Sequence, residues 1–492
     1  MSLQYEKELA IQSTNIPGLL VLDLSVHGDN RGWFKENWQQ KKMCDLGLPD
    51  FKPVQQNMSF NMTRGVTRGI HAEPWDKLIS VACGSVFGAW VDLRPGASFG
   101  QVFTATVDAS KAIYVPRGVG NSFQALEDKT VYSYLVNAHW SAELKSTYTF
   151  VNLRDPALNI KWPIPLDDCE ISDADKCHPL LSDVSPMLPR RTLVTGCNGQ
   201  LGRAIKALVE RRNLSCFDYT DIDDFDFSNP SAYEAIDWSL YGTVINCGAY
   251  TAVDKAETSE GRIACWKANA SGPALLAKIC NKHNITLVHI SSDYVFDGVN
   301  KVHSESEELS PLSVYGQSKA AGDIAVTQLA KYYIVRSSWV VGDGHNFVKT
   351  MASLSDRVAD KLDNLKEVSV VNDQIGRLSF TNDIASAIVF LLGYREDDLE
   401  PSHPAPYGIY NVTSSGKPVS WAEIARSIFK QRNNNEEAIR FVSTEAYYFV
   451  SQNAVAPRPH FSTLNLSKIK SLGWTPSNWE DRLRSYLTDL YM

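Results

Sequence analysis

The pattern of apolar and polar positions changes character near the middle of the chain. Up to about residue 180, short apolar or alternating runs recur: GLLVLDLSV, KLISVACGSVFGAWVDL, QVFTATVDA, AIYVPRG and KTVYSYLVNAHW. Gly, Pro, Asn and Asp break them at short intervals and long helical periods are scarce, which predicts an all-β sandwich or barrel. From Thr192 the pattern becomes strand, turn, helix. TLVTGCNGQLGRAI opens it, and LSCFDYT, TVINCG, GPALLAKICNKHN, TLVHISS, SKAAGDIAVTQLAKY and YIVRSS follow. That alternation predicts a doubly wound parallel sheet of the Rossmann type. Between the two regions, HPLLSDVSPMLPRR has three prolines and no period, the mark of a connection. The organisation expected is a β domain over 1–188 and an α/β domain over 189–492.

Composition narrows the function classes. The chain has 492 residues, 44% hydrophobic and 21% charged, with a formal charge of −8. The length calls for more than one core. The acidic balance offers no basic face for nucleic acid or for an anionic membrane surface. No apolar run reaches the roughly 18 residues of a membrane span, and MSLQYEKELA lacks a signal-peptide pattern. The nine cysteines are scattered and form no CxxC or Cys/His metal spacing, so reduced thiols in a cytoplasm are the expectation.

Within the α/β region, Gly196, Gly199 and Gly202 let a backbone approach a pyrophosphate, and the helix that follows offers free N–H groups to it. Asn198, Gln200 and Leu201 belong to the same turn. Asp218 ends the second apolar run, where an acidic residue faces an adenine ribose and favours NAD on charge grounds. Asp226 and Phe227 are placed on the adenine side. The sharper constellation is Ser292 at the end of TLVHISS with Tyr315 and Lys319 in YGQSK. Tyr and Lys four apart share a helix face. An ammonium beside a tyrosine lowers its pKa, and a serine hydroxyl holds a carbonyl oxygen. YxxxK alone is a frequent chance pair. Here the glycine turn and the strand-end serine precede it in order.

In the β region, Arg68 and His71 lie in TRGVTRGIHAE, Lys77 opens KLISV, and Tyr134 lies in VYSYLV. Read singly, each has a bland reading: a turn residue, a satisfied histidine, a core aromatic. Arg68 and His71 are three apart and fall on opposite faces of a regular strand, unless Gly69 hosts a bulge.

The ordered series DNRGWFKENW, VQQNMS, TRGIH, DKLISV, GSVFGAWVDLRPG, YVPRGVGNSF, VYSYLVNAHW and DPALNIKWP resembles the dTDP-4-dehydrorhamnose 3,5-epimerase family over roughly residues 15–180. The resemblance implies a cupin-like jelly roll acting as a homodimer through this domain. It implies His71 as general base, Tyr134 as opposing acid, Asp175 as partner of the base and Lys77 as the cation beside the developing enolate. Arg31, Glu36, Gln55, Asn57 and Arg68 fall at positions that bind the nucleotide or its phosphates, and Trp140 at the place of an aromatic that stacks on thymine. The chain departs from the family pattern at Ala72, Glu73 and Asn121, and a single-centre epimerase stays open.

The second region resembles the extended short-chain dehydrogenases, and within them dTDP-4-dehydrorhamnose reductase. The motifs are TGCNGQLG, INCGAYTAVDKAE, KANASG, SSDYVFDG, VYGQSKAAGD, VRSSWVVGDGHNFVKTM, VVNDQIGRLSF and APRPHFSTL. Ser292 stands where threonine is usual. The resemblance implies that Asn246, Ala249 and Tyr250 line the cofactor, and that Trp339, Gln374 and Arg458 face the sugar nucleotide. The cofactor implied is NADPH or NADH, and no metal is assigned.

Three functions compete at this stage. The first is a bifunctional enzyme of dTDP-L-rhamnose synthesis, epimerase then reductase. The second is a related sugar-nucleotide enzyme making another deoxysugar. Against a dehydratase, Ser292 is followed by Asp293 and Tyr294 rather than an Asp-Glu pair. The third is a non-catalytic nucleotide-binding regulator, since SSDYVFDG also resembles a subunit of that kind in S-adenosylmethionine synthetase. The partners expected are a dTDP-sugar substrate and a second copy of the chain, with no nucleic acid and no membrane.

Overall fold

In the computed structural model, residues 5–360, 365–395, 404–449 and 455–491 are described. The chain divides into two compact units, Met1–Pro189 and Arg190–Met492.

The first unit is built from two antiparallel sheets. One has six strands in the order Ala10–Ser13, Leu20–Asp23, Lys111–Val115, Lys77–Cys83, Thr130–Val136, Gln55–Asn61. The other has five, in the order Thr149–Phe150, Thr67–Ala72, Val119–Ala125, Val86–Asp92, Val102–Val107. Alternation along each strand sends every second side chain inward. Ile79, Ile113 and Tyr132 from the first sheet meet Val86, Trp90 and Phe123 from the second in one core. This is the expected all-β, jelly-roll-like unit.

The strand carrying His71 is irregular. Its register against Val119–Ala125 shifts between Asn121 and Phe123, opposite Arg68 and His71. Gly69 sits there at φ +126°, and a Cβ on it would lie 2.4 Å from Cβ of Ser122. Only glycine accommodates that combination. The irregularity is the bulge that Gly69 made conceivable, and it frees His71 from the simple face alternation.

The second unit carries a parallel sheet of six strands, in the order Phe217–Thr220, Arg191–Thr195, Tyr241–Asn246, Thr286–Ser292, Tyr332–Ser337, Gly408–Asn411. Successive residues of each strand serve opposite faces. Val194, Ile245 and Val288 pack with Ile205, Leu208 and Ile388 on one side. Leu193, Val244 and Leu287 pack with Leu276, Cys280 and Val326 on the other. A third cluster, with Phe380, Ile424, Ile428 and Leu483, forms a smaller lobe from the helices Phe347–Ala359, Trp421–Gln431 and Trp479–Leu490. The strand order reverses direction between Arg191–Thr195 and Tyr241–Asn246, and a crevice opens beyond the carboxyl ends of those strands, where doubly wound folds bind ligands. Among the described residues, no helix is long and apolar enough to cross a membrane.

Candidate active sites

In the first unit, His71 and Tyr134 come from opposite sheets. Nε2 of His71 lies 2.9 Å from Oδ1 of Asp175, and Nε2 of His178 lies 3.2 Å from the same oxygen. The Gly69 amide donates to the other carboxylate oxygen at 3.2 Å. A carboxylate only accepts, so both Nε2 atoms carry protons and Nδ1 of His71 is the nitrogen with a free lone pair. Burial raises the Asp175 pKa. The hydrogen bond and charge of His71, the Gly69 amide and His178 outweigh that and hold the carboxyl below its usual range. Asp175 is therefore ionised at neutral pH. The short helix Asp173–Lys176, capped by Ser172, presents it. His178 was not singled out from sequence; its only signal is its position three residues beyond Asp175. Burial and then His71 depress its pKa, against the pull of Asp175.

Tyr134 pairs in register with Asn57 and hydrogen-bonds it. Burial, and next the charge of Glu73, raise its pKa above the ordinary value, while Arg68 and Asn57 oppose them. The phenol keeps its proton at neutral pH, as an acid needs. Buried Lys77 lies 5.5 Å from the Tyr134 ring and forms a 2.7 Å ion pair with half-buried Glu73. Glu73, noted in the sequence only as a departure, thus holds the lysine ammonium. Gln55 donates to Asn57 at 2.8 Å and accepts the Trp140 amide at 3.0 Å, and Arg68 reaches Asn61 at 3.3 Å. Trp140 is exposed. Arg31 and Glu36 are not drawn into this group. Arg31 is exposed on the hairpin of Val26–Asp29 and Gly32–Lys35 and pairs with Asp29, while Glu36 pairs with Lys42.

In the second unit, the crevice is a cavity of about 1080 Å³. Gly196, Asn198, Gly199, Gln200 and Leu201 form one wall. Gly196 holds φ +65°, and a Cβ on Gly202 would lie 2.4 Å from the Gly196 carbonyl oxygen. No side chain caps the helix Gln200–Arg211 at Gly199, so its first N–H groups are left for a ligand. A tight glycine cradle with free amides fits a dinucleotide pyrophosphate. Asp226, Phe227, Ala249 and Tyr250 line the same cavity. Asn246 stands behind it, accepting from Thr195 at 2.8 Å. Asp218 lies outside. The strand runs two residues further, through Tyr219 and Thr220, because both pair in register with Val194 and Thr195. Asp218 is therefore in mid-strand, held by Arg191 and by Tyr241 at 3.0 Å. The strand-end position belongs to Asp221, which lines the cavity.

Ser292, Tyr315 and Lys319 line the cavity together. Tyr315 hydrogen-bonds Ser292, and its ring meets Tyr294 edge-on at 5.4 Å. Burial first, and then the Asp293 charge, push its pKa well above the ordinary value, and Ser292 opposes them. Lys319 was expected to lower that pKa. Its ammonium donates to the Ile290 carbonyl, and burial rather than Lys319 dominates the Tyr315 pKa. Burial brings Lys319 down to about 8, although Asp323 and Cys265 pull upward. Ser292 donates to Asp293 at 2.9 Å. Burial raises Asp293 to about 6, against Ser462, Ser292, its own backbone amide and His303. Trp339 lines the cavity and stacks on Trp421 at 3.8 Å, a partner the sequence reading missed. Gln374 and Arg458 do not line it. Gln374 donates to Thr444 at 3.0 Å, and Arg458 binds Asp254 at 2.8 Å over the Tyr448 ring.

The Lys319 value fixes a pH dependence. A lysine carries its charge below its pKa and loses it above. The kcat/KM of this unit, which reports the free enzyme, is expected to hold up to about pH 8 and then fall roughly tenfold per unit. A profile that stayed flat well above that value would exclude Lys319 as the controlling group.

Fold and sites define a two-unit enzyme, with an acid–base unit of two β sheets followed by a tyrosine–lysine dehydrogenase of the nicotinamide type. The chain belongs to the RmlD substrate binding domain family, whose model matches residues 190–492, and its first unit matches the dTDP-4-dehydrorhamnose 3,5-epimerase model over residues 13–183. It is a fusion of the two. The RmlC homolog of Streptococcus pyogenes serotype M6 is 54% identical over 192 residues, covering 38% of this chain and 96% of that protein. The dTDP-4-dehydrorhamnose reductase of Aggregatibacter actinomycetemcomitans is 34% identical, covering 60% of this chain and 97% of that protein. The crystal structure of dTDP-4-dehydrorhamnose reductase from Bacillus anthracis in complex with NADP superimposes with a TM-score of 0.52 at 32% identity, covering 61% and 99%.

Proposed function

We propose that the chain makes dTDP-L-rhamnose from dTDP-4-dehydro-6-deoxyglucose in two steps, one in each unit, with the functional boundary at residues 188/189. The observation that carries this reading is that one chain holds both the His71–Asp175 pair and the Tyr315–Lys319 pair in a glycine-walled cavity.

In the first step, the C4 ketone acidifies the protons on C3 and C5. Nδ1 of His71 removes a proton from one face, and Asp175 stabilises the imidazolium through Nε2–H. Lys77 balances the enolate charge at O4, and the Tyr134 hydroxyl returns a proton from the other face. In the second step, a reduced nicotinamide (NADPH or NADH), when bound, supplies hydride to C4. Tyr315 donates its proton to the C4 oxygen as the carbonyl becomes a hydroxyl. Ser292 orients that oxygen, and Lys319 offsets the negative charge left on Tyr315. The residues at the cavity wall, Trp339 included, exclude water from the reacting carbon.

Product made in heavy water with unlabelled NADPH decides the matter by mass spectrometry. Two solvent deuterons on carbon, with one NADPH consumed per product, are expected. One deuteron marks a single-centre epimerase, and product without NADPH loss would overturn the reductase assignment.

A homodimer through the first unit agrees with its surface. Gln55–Asn61 is the edge strand of its sheet, and it turns Met58 and Phe60 outward, with Met62 and Phe34 also exposed. A monomer in sedimentation of the full chain would sink this. All nine cysteines are free, in keeping with a cytoplasmic enzyme feeding cell-wall polysaccharide synthesis.

A further inference from the structure

We propose that Asp323 is a positioning residue of the second unit: its carboxylate, buried one helical turn beyond Lys319, keeps the Lys319 ammonium charged. The kinetic consequence rests on the reductase reading above, which leaves open what holds that charge in place.

Lys319 and Asp323 are four apart on the helix Val314–Val326 and share a face. That face is dry: Lys319 is 2% exposed and Asp323 1%. The strand Tyr332–Ser337 brings a second buried cation, Arg336, whose Nε donates to Oδ2 of Asp323 at 3.1 Å. The strand Thr286–Ser292 brings His289, whose Nε2 lies 3.9 Å from Oδ1 of Asp323, and the Ile290 carbonyl, which accepts from the Lys319 ammonium. The helix Ser259–Trp266 brings the Cys265 thiol. Tyr315 lies one turn before Lys319 on its own helix.

The charges of this cluster balance only through Asp323. Burial, and then the Lys319 charge, push the His289 pKa well below its ordinary value, so the ring is neutral. Burial pushes the Cys265 thiol up, against Ser318, Asn269 and Lys319, and the thiol keeps its proton. The Tyr315 phenol keeps its proton as well. Burial raises the Asp323 pKa, against Arg336, Ser291 and Lys319. The guanidinium in hydrogen-bond contact cannot give up its own proton, so the carboxyl stays ionised. Asp323 is thus one anion serving two buried cations. Without it both would lie uncompensated in a dry pocket. Arginine does not deprotonate, so the lysine gives up its proton, and a neutral Lys319 cannot offset a phenolate on Tyr315.

The test is trace labelling of the full chain with acetic anhydride, which acylates only the neutral amine. Labelling at Lys319 is read by mass spectrometry across pH, beside the pH profile of kcat/KM. Wild type is expected to show a midpoint at about pH 8 in both. Asp323→Asn is expected to bring both to about pH 7 or below, cutting kcat/KM at pH 8 by about fivefold or more, with recovery on acidification. Asp323→Glu is expected to return both toward wild type. Should the unpaired guanidinium unfold Asp323→Asn, the double variant Asp323→Asn, Arg336→Gln leaves no broken pair and is expected to show the same downward move. A Lys319 midpoint that stays at the wild-type pH without the carboxylate overturns the proposal, and so does activity lost equally at every pH. If the labelling midpoint moves but wild type oxidises no NADPH with ketosugar, the reductase reading fails while the Asp323 assignment stands.

Discussion

Replacing Tyr315 with phenylalanine is expected to lower the reductase kcat by about 10²–10⁴-fold while leaving dinucleotide affinity nearly unchanged. The substitution removes one hydroxyl and keeps the ring, so the edge contact with Tyr294 survives. The proton it removes is the one the reaction needs. Burial and Asp293 hold the Tyr315 pKa high, so the phenol is fully protonated at neutral pH and is an acid rather than a base in the resting enzyme. A proton this tightly held is released only when negative charge develops on the substrate oxygen beside it. Lys319 then matters most after the transfer, as a cation on the same helix face as the phenolate. Solvent-deuterium uptake by the first unit serves as the internal control and is expected to continue. A variant that reduced the ketosugar at the normal rate would place the acid elsewhere, and Ser292 with Asp293 would be the next pair to test.

The sequence carried the architecture well because periodicity alone separates the two units. Short alternating runs need two sheets to bury one face each, and strand–helix alternation needs a parallel sheet. Tyr315, Lys319 and the glycine turn were legible for the same reason, since their spacing is local along one helix or one turn. What failed was non-local. Asp218 read as a strand end, but Tyr219 and Thr220 continue the strand because Val194 and Thr195 pair with them. The strand-end residue that lines the cavity is therefore Asp221. His178 meets His71 at a shared Asp175 oxygen and edge-on, ring to ring, at 5.4 Å, a link between segments more than a hundred residues apart. Trp421 reaches Trp339 from the smaller lobe, and no spacing rule foretells that. Arg31 and Glu36 came from a pattern of order; in the fold Arg31 pairs with Asp29 on an exposed hairpin, and Glu36, just beyond it, pairs with Lys42.

The second large effect lies in the first unit. Replacing His71 with asparagine is expected to stop solvent-deuterium uptake at both C3 and C5, a loss of about 10²–10⁴-fold. Asparagine keeps a polar group near Asp175 and fills part of the space that the imidazole shares with Phe150 and His178, each ring 5.4 Å away. The loss then reports on the base and not on a collapsed pocket. With dTDP-4-dehydro-6-deoxyglucose as substrate, NADPH consumption to rhamnose should fall by the same factor, because the reductase receives no epimerised ketone. With dTDP-4-dehydrorhamnose supplied directly, it should proceed at the wild-type rate, which separates the two steps within one molecule. Replacing Asp175 with asparagine should cost less, since Nδ1 of His71 remains while the imidazolium loses its counter-charge. Exchange that persisted at the normal rate in the His71 variant would move the base to another residue, and His178 on the shared carboxylate is the first candidate.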